Sequence, residues 1–151
     1  MKLAFACDHS GTELKSQLME VARGMGHECV DYGIHEGEIP HYPIYAARAA
    51  KAVQSGVCDR GVVICGTGIG VSVVCNKFKG IVCSLCGDCF SAKLTRQHND
   101  SNMLAIGARV TGSELAKMIL EIWLTTEHEA GGRHTQRLEM LHRIENGEDL
   151  E

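Results

Sequence analysis

The stretch GVVICGTGIG at residues 61–70 decides the fold. Its first half, Gly61–Cys65, is an apolar run without polar interruption, which predicts a strand covered on both faces. Its second half places glycine at 66, 68 and 70 and leads into a helix through Phe78. Alternate glycines let backbone N–H groups turn inward together, and the start of the helix adds its positive end, so the loop suits a negatively charged oxygen. Strand, glycine turn and helix in succession form half of a parallel-sheet unit.

Working toward the N-terminus, Lys2–Cys7 reads as a strand that stops at Asp8-His9-Ser10-Gly11. Thr12 to Met25 then carries Leu14, Leu18, Val21, Ala22 and Met25 at helical spacing, and Gly26 ends it. His27–Tyr32 is a second strand, and Pro43 opens a helix whose stripe is Ala46, Ala49, Ala50 and Val53. Toward the C-terminus, strands are expected at Gly80–Leu85 and Met103–Ile106, and helices at Asp88–Arg96, Gly112–Leu124 and Arg133–Glu145. Five strands separated by helices predict an α/β fold, a three-layer α/β/α sandwich on a five-stranded parallel Rossmann-like sheet. At 151 residues the chain has room for a single domain, residues 1–151.

Composition narrows the function classes. Fifteen Lys plus Arg against nineteen Asp plus Glu leaves no basic surplus, which argues against a nucleic-acid partner. The longest uncharged stretch, Gly61 to Asn76, falls short of the ~20 apolar residues that span a bilayer, so no membrane role is expected. The apolar run before Asp8 is too short for the ~7–15-residue core of a signal peptide, which points to the cytoplasm. The eight cysteines are then expected to be reduced. Cys83, Cys86 and Cys89 recur every third residue and raise metal binding or thiol redox chemistry, but the paired spacing of a zinc site is missing. No metal is expected.

In an open parallel sheet ligands lie beyond the carboxyl ends of the strands. Those ends carry Asp8 and His9 after the first strand, Cys65 to Gly70 after the third, and Arg109 just past the fifth. The turn before the fifth strand adds His98, Asn99 and Asp100, in which His98 is expected as a loop residue able to give or take a proton near pH 7. The spacing G-x-G-x-G after the third strand is not the dinucleotide pattern G-x-G-x-x-G. A thiol facing a ring of N–H donors, with a histidine opposite, suits abstraction of a proton next to a carbonyl. The alternative for Cys65 is a packed core cysteine. Arg133 and Arg137 lie four apart on one helix and hence on one face, a phosphate clamp unless Glu127, Glu129 and Glu139 make it a solvated patch. His134 is expected on the surface, facing elsewhere, and His27, His35, His128 and His142 in surface or packing positions.

The segments ACDHSG at 6–11, HYPIYA at 41–46, ICGTGIGVSVVCNKFKGI at 64–81, SAKLTRQHNDSNMLAIGARVTG at 91–112 and GGRHTQR at 131–137 resemble the family of type B ribose-5-phosphate isomerases and galactose-6-phosphate isomerase subunits. The resemblance covers essentially the whole chain in order. It implies the α/β/α sandwich, a homodimer or dimer of dimers with sites between subunits, a small phosphorylated sugar as substrate, and neither metal nor other cofactor. Carried over by motif, it makes Cys65 the base at the sugar C2, with Thr67 assisting proton movement. The Gly66, Gly68, Ile69 and Gly70 backbone and Asn99 would hold the enediolate. His98 would open the furanose ring with Asp8 nearby, and His9, Arg109, Arg133 and Arg137 would receive the phosphate. The helix from about 133 is expected to pack on a partner subunit. The implied reaction is the interconversion of ribose 5-phosphate and ribulose 5-phosphate. His41 before Tyr42-Pro43 resembles the galactose-phosphate subunits instead, which keeps a six-carbon aldose phosphate as the alternative; Val82 and the cysteines of CSLCGDCF at 83–90 also depart from the pattern. A non-catalytic phosphosugar or nucleotide-binding module is the reading from a different class, needing the loop and arginines but not Cys65 or His98.

Overall fold

Alternation along the central strands sorts the core into two unequal halves. The computed structural model describes residues 1–151. Strands β1 (Lys2–Cys7), β2 (Glu28–Asp31), β3 (Arg60–Cys65), β4 (Cys83–Leu85) and β5 (Met103–Gly107) form one sheet in the order β2-β1-β3-β5-β4. All four pairings are parallel, as expected. The connections are α1 (Thr12–Gly24), α2 (Tyr42–Gln54), α3 (Ile69–Cys75) and α4 (Cys89–Asn99), followed by α5 (Ser113–Thr125) and α6 (Gly132–Glu145).

On one face Leu3, Phe5, Val62, Ile64, Leu104 and Ile106 meet Leu14 and Leu18 of α1 and Ile119, Leu120 and Trp123 of α5, with Ala92 of α4 beside them. On the other, Ala4, Ala6, Val63, Cys65 and Ala105 meet Ala46, Ala49 and Ala50 of α2 and Val71 of α3. Large side chains fill the first gap. Small ones let α2 lie close to the sheet on the second, where the lost area is offset by dense packing. The Trp123 Nε1–H donates to Ser101 Oγ at 2.8 Å, so neither polar atom is buried unpaired.

Three boundaries differ from the sequence expectation by three residues each, the largest departures. Strand β4 keeps only Cys83–Leu85 of the expected Gly80–Leu85. The Val82 N–H donates to Asn102 Oδ1 at 2.9 Å and Gly80 has a left-handed φ of 77°, so this stretch is held by side chains and a turn. Helix α3 stops at Cys75, before Phe78, because Asn76 turns its amide to both the N–H and the C=O of Cys83 at 2.8 Å. Helix α4 runs through Asn99 and ends on Asp100 in the left-handed region, φ 48°. His98 and Asn99 are therefore the last turn of a helix, not a loop.

The third-residue cysteine pattern does not converge. Cys83 packs into the α2/α3 half of the core and Cys86 into the α1/α5 half, on opposite faces of the sheet. Burial, with Asp88 nearby, pushes the Cys86 thiol up to about 11. A hydrogen bond with Cys75, then burial, raises Cys83. Both are protonated packing groups at neutral pH. All eight cysteines are free thiols. No helix is long and apolar enough to cross a membrane.

Candidate active site

The expected site residues divide between the two edges of the sheet. At the carboxyl edge, Cys65 ends β3, and its Sγ accepts the Gly68 N–H at 3.2 Å. Its alternation places it with Val63 on the α2/α3 side, so the thiol sits beneath the glycine loop and is 5% exposed. It is thus packed into the core on one flank and capped by the loop on the other. Gly68 has φ 78°, and a side chain there would run into Leu85 and the β5 backbone. Gly107 lies so close beneath Thr67 that a Cβ would stand 2.6 Å from the Thr67 carbonyl carbon and oxygen. The loop can therefore seat itself on β5 only over glycine.

Around this loop the chain crosses three times. The Asp8 N–H donates to the Ile64 carbonyl at 3.1 Å and the Arg109 N–H to the Gly66 carbonyl at 2.9 Å. Asp8 is buried, and its Oδ1 accepts the Ser10 N–H at 2.9 Å and the Ser10 hydroxyl at 2.6 Å, which fixes the turn carrying exposed His9. His9 lines an open cleft of about 510 Å³ with Thr12, His35, Glu36 and Glu38. A Cβ on Gly66 would lie 3.5 Å from Arg109 Cδ and 3.7 Å from Ser10 Oγ, so both side chains border the loop. Thr67 is exposed, and its Oγ1 accepts the Ile69 N–H at 3.3 Å. The ring of Tyr42 lies against Gly70, 2.9 Å from where a Cβ would be. Tyr42 is an exposed neighbour of the loop that residue spacing did not single out; its position directly before Pro43, at a helix start, was the available signal.

His98 and Asn99 are not at that edge. Helix α4 runs antiparallel to the strands, and the Asn102 carbonyl that follows it accepts from Gly61, the residue opposite Met103 at the amino end of the sheet. Four strand steps separate Gly61 from Cys65, about 13 Å at ~3.3 Å per residue. The grouping of His98–Asp100 with the strand carboxyl ends is thereby corrected: in one chain they lie across the sheet from Cys65. His98 and Asn99 instead border a cavity of about 430 Å³ with Arg137, His134 and Leu138 of α6. Helix α6 has no buried residue of its own. It is anchored by Glu145 Oε1, which accepts the Gly80 N–H at 3.0 Å, and by the stacking of His134 on His98, centroids 4.0 Å apart and rings within 2° of parallel. His134 therefore faces the same cavity as His98 and not elsewhere on the surface. Desolvation first, then His98 and the guanidinium groups of Arg133 and Arg137, hold its imidazole below the ordinary histidine range.

Each edge carries part of the expected residue set. The carboxyl edge offers a thiol, a backbone cradle, a carboxylate, an imidazole and Arg109. The amino edge offers two further imidazoles, an amide and two guanidinium groups. A small phosphorylated ligand would need an anion cradle and a cationic anchor together.

The sequence model of the Ribose/Galactose Isomerase family matches residues 3–141. Ribose-5-phosphate isomerase B of Escherichia coli is 49% identical over 144 residues, 95% of this chain and 96% of that protein. The D-erythrulose-4-phosphate isomerase of Pectobacterium atrosepticum is 39% identical over 87% of this chain and 88% of its own. Among solved structures, ribose-5-phosphate isomerase B of Clostridium thermocellum superposes with a TM-score of 0.93 at 42% identity, covering 97% of this chain and 99% of that one. With the parallel sheet and the cradle at its carboxyl edge, these matches place the chain in the ribose/galactose isomerase family, as an aldose–ketose isomerase.

Proposed function

We infer that the chain interconverts ribose 5-phosphate and ribulose 5-phosphate through an enediolate, with Cys65 as the base, in the cytoplasm and as a homodimer. The observation that carries the mechanism is the position of Cys65: a thiol whose Sγ already accepts a loop N–H, beside a cradle that a negatively charged oxygen would share. Cys65 takes the proton from C2 of the open-chain aldose, the electrons move onto the carbonyl oxygen, and the same proton returns at C1. Thr67 moves protons between the two oxygens. Gly66, Gly68, Ile69 and Gly70 hold the developing charge through their backbone. A dianionic phosphate is held by His9 and Arg109 from one side and by Arg133 and Arg137 from the other.

The separation of the two edges supports the dimer. Cys65 and His98 of one chain lie across the sheet from each other, so Cys65, Asp8, His9 and Arg109 of one copy work with His98, Asn99, Arg133 and Arg137 of a second. His98 of the second copy opens the furanose ring, and its Asn99 binds the enediolate oxygens. Eight unpaired thiols fit a reducing compartment.

The test is a coupled assay across five- and six-carbon aldose phosphates with the wild type and Cys65→Ala. Ribose 5-phosphate should have the highest kcat/KM. The alanine variant should lose about 10²–10⁴ in kcat with its circular dichroism and inorganic-phosphate binding retained. Near-full activity of Cys65→Ala would remove the base assignment. Preference for a six-carbon substrate would favour the second reading, which rests on exposed His41 ahead of α2 and the likeness of residues 41–46 to the galactose-phosphate subunits.

A further inference from the structure

We propose that His98, Glu129 and His134 form a binding site for a divalent transition-metal ion of the zinc class, and that its occupation switches the isomerase off. One ligand atom from each of the three lies within 4.8 Å of the others. They come from the end of α4, the segment between α5 and α6, and the first turn of α6. The backbone nevertheless holds them together. The Glu129 N–H donates to the Gln97 carbonyl at 3.0 Å, and the neighbouring His128 Nδ1 lies 2.8 Å from that oxygen, so Glu129 is tied to the residue before His98. The Gly131 N–H donates to Thr135 Oγ1 at 2.7 Å, which fixes the turn into α6 and hence His134.

Two imidazoles and one carboxylate are the donor set of open zinc sites, with a fourth position left to water. Bonds of ~2.0–2.1 Å to a tetrahedral ion bring donors to about 3.3 Å from one another, a closure of roughly 1.5 Å at most from the observed arrangement. Glu129 is exposed and free to swing through it, and the stacked rings need only rotate. Nitrogen donors select zinc, nickel or copper over magnesium and calcium. Arg133 and Arg137 stand close to His134 and oppose any cation, so the binding must come from coordination and not from the field. The switching half rests on the role of His98 proposed above: an imidazole with one nitrogen on a metal and the other protonated has no lone pair left to take the anomeric hydroxyl proton that ring opening releases.

The experiment titrates cobalt(II), then zinc, into chelator-treated full-length protein, reading the visible spectrum, calorimetry and isomerase rate. The expected result is one cobalt per chain with visible bands but no sulfur-to-cobalt charge transfer, activity lost as the site fills, and cobalt then displaced by zinc with the inhibition retained. Glu129→Gln should keep the metal-free rate, bind zinc on the order of tenfold more weakly, and shift the inhibition curve by the same factor. His134→Asn should weaken cobalt binding likewise. Thiolate charge transfer, or unchanged affinity in both variants, overturns the site. Nitrogen-coordinated cobalt without inhibition overturns the switch and with it the ring-opening role of His98, while leaving Cys65 untouched.

Discussion

If each site joins the carboxyl edge of one copy to the amino edge of another, two inactive variants should repair one another. Cys65→Ala and His98→Ala each damage both sites of their own homodimer, and each should lower turnover of the furanose substrate by about 10²-fold or more. In a heterodimer both lesions fall on one site, because the chain lacking Cys65 faces the chain lacking His98. The other site receives Cys65 from one chain and His98 from its partner, both intact. Purified heterodimer should then recover ~50% of wild-type activity, and a random mixture in which half the dimers are mixed should recover ~25%. Sites built within one chain would give no recovery, since every chain carries a lesion. The geometry behind the expectation is the separation of about 13 Å along β3 between the level of Cys65 and that of Asn102, far beyond the ~3 Å of a catalytic hydrogen bond. Co-expressing the variants with two affinity tags, purifying on both, and assaying the doubly tagged species makes the measurement. Activity of that species no higher than the homodimers would refute the two-copy site.

Other perturbations separate the roles of individual residues. Arg137→Ala should raise KM for substrate and Kd for inorganic phosphate together by roughly ten- to a hundredfold, the loss of a charge-assisted contact of about 1.5–3 kcal/mol, with kcat changing less; equal constants would identify a solvated patch. Gly107→Ala should destabilise the protein by about 1–3 kcal/mol in urea and reduce activity more than stability explains, because the methyl lifts Thr67. Trp123→Phe should leave Ser101 Oγ unpaired in a region with no solvent, lowering stability by about 1–3 kcal/mol at constant m-value with turnover unaffected.

Where a reading needed only near neighbours along the chain, it matched the structure. The unbroken apolar run at Gly61–Cys65 and the helical stripes on residues 12–25 and 112–124 reproduce β3, α1 and α5 to within a few residues. Strand β4 starts late because the Asn102 side chain takes the Val82 N–H, and helix α3 ends where Asn76 commits its amide to the backbone of Cys83, both contacts outside the reach of local spacing. The thiol and glycine cradle were legible for the same local reason, since a strand end and its following turn are contiguous. His98 was misplaced because a residue before a strand and a residue after one look equally close to it in sequence but lie at opposite edges of a parallel sheet. His134 was missed because nothing near it in the chain reports that α6 returns to the end of α4.

Sequence alone determined the parallel α/β/α architecture and the placing of a thiol and a glycine turn at the end of β3, since hydrophobic period and glycine spacing act over a few residues. Tertiary structure alone decided which groups share an edge, that the cysteines at 83 and 86 face opposite cores, and that His98, Glu129 and His134 meet. Those outcomes depend on the direction of each helix across the sheet and on where α6 docks, and contacts between distant segments set both.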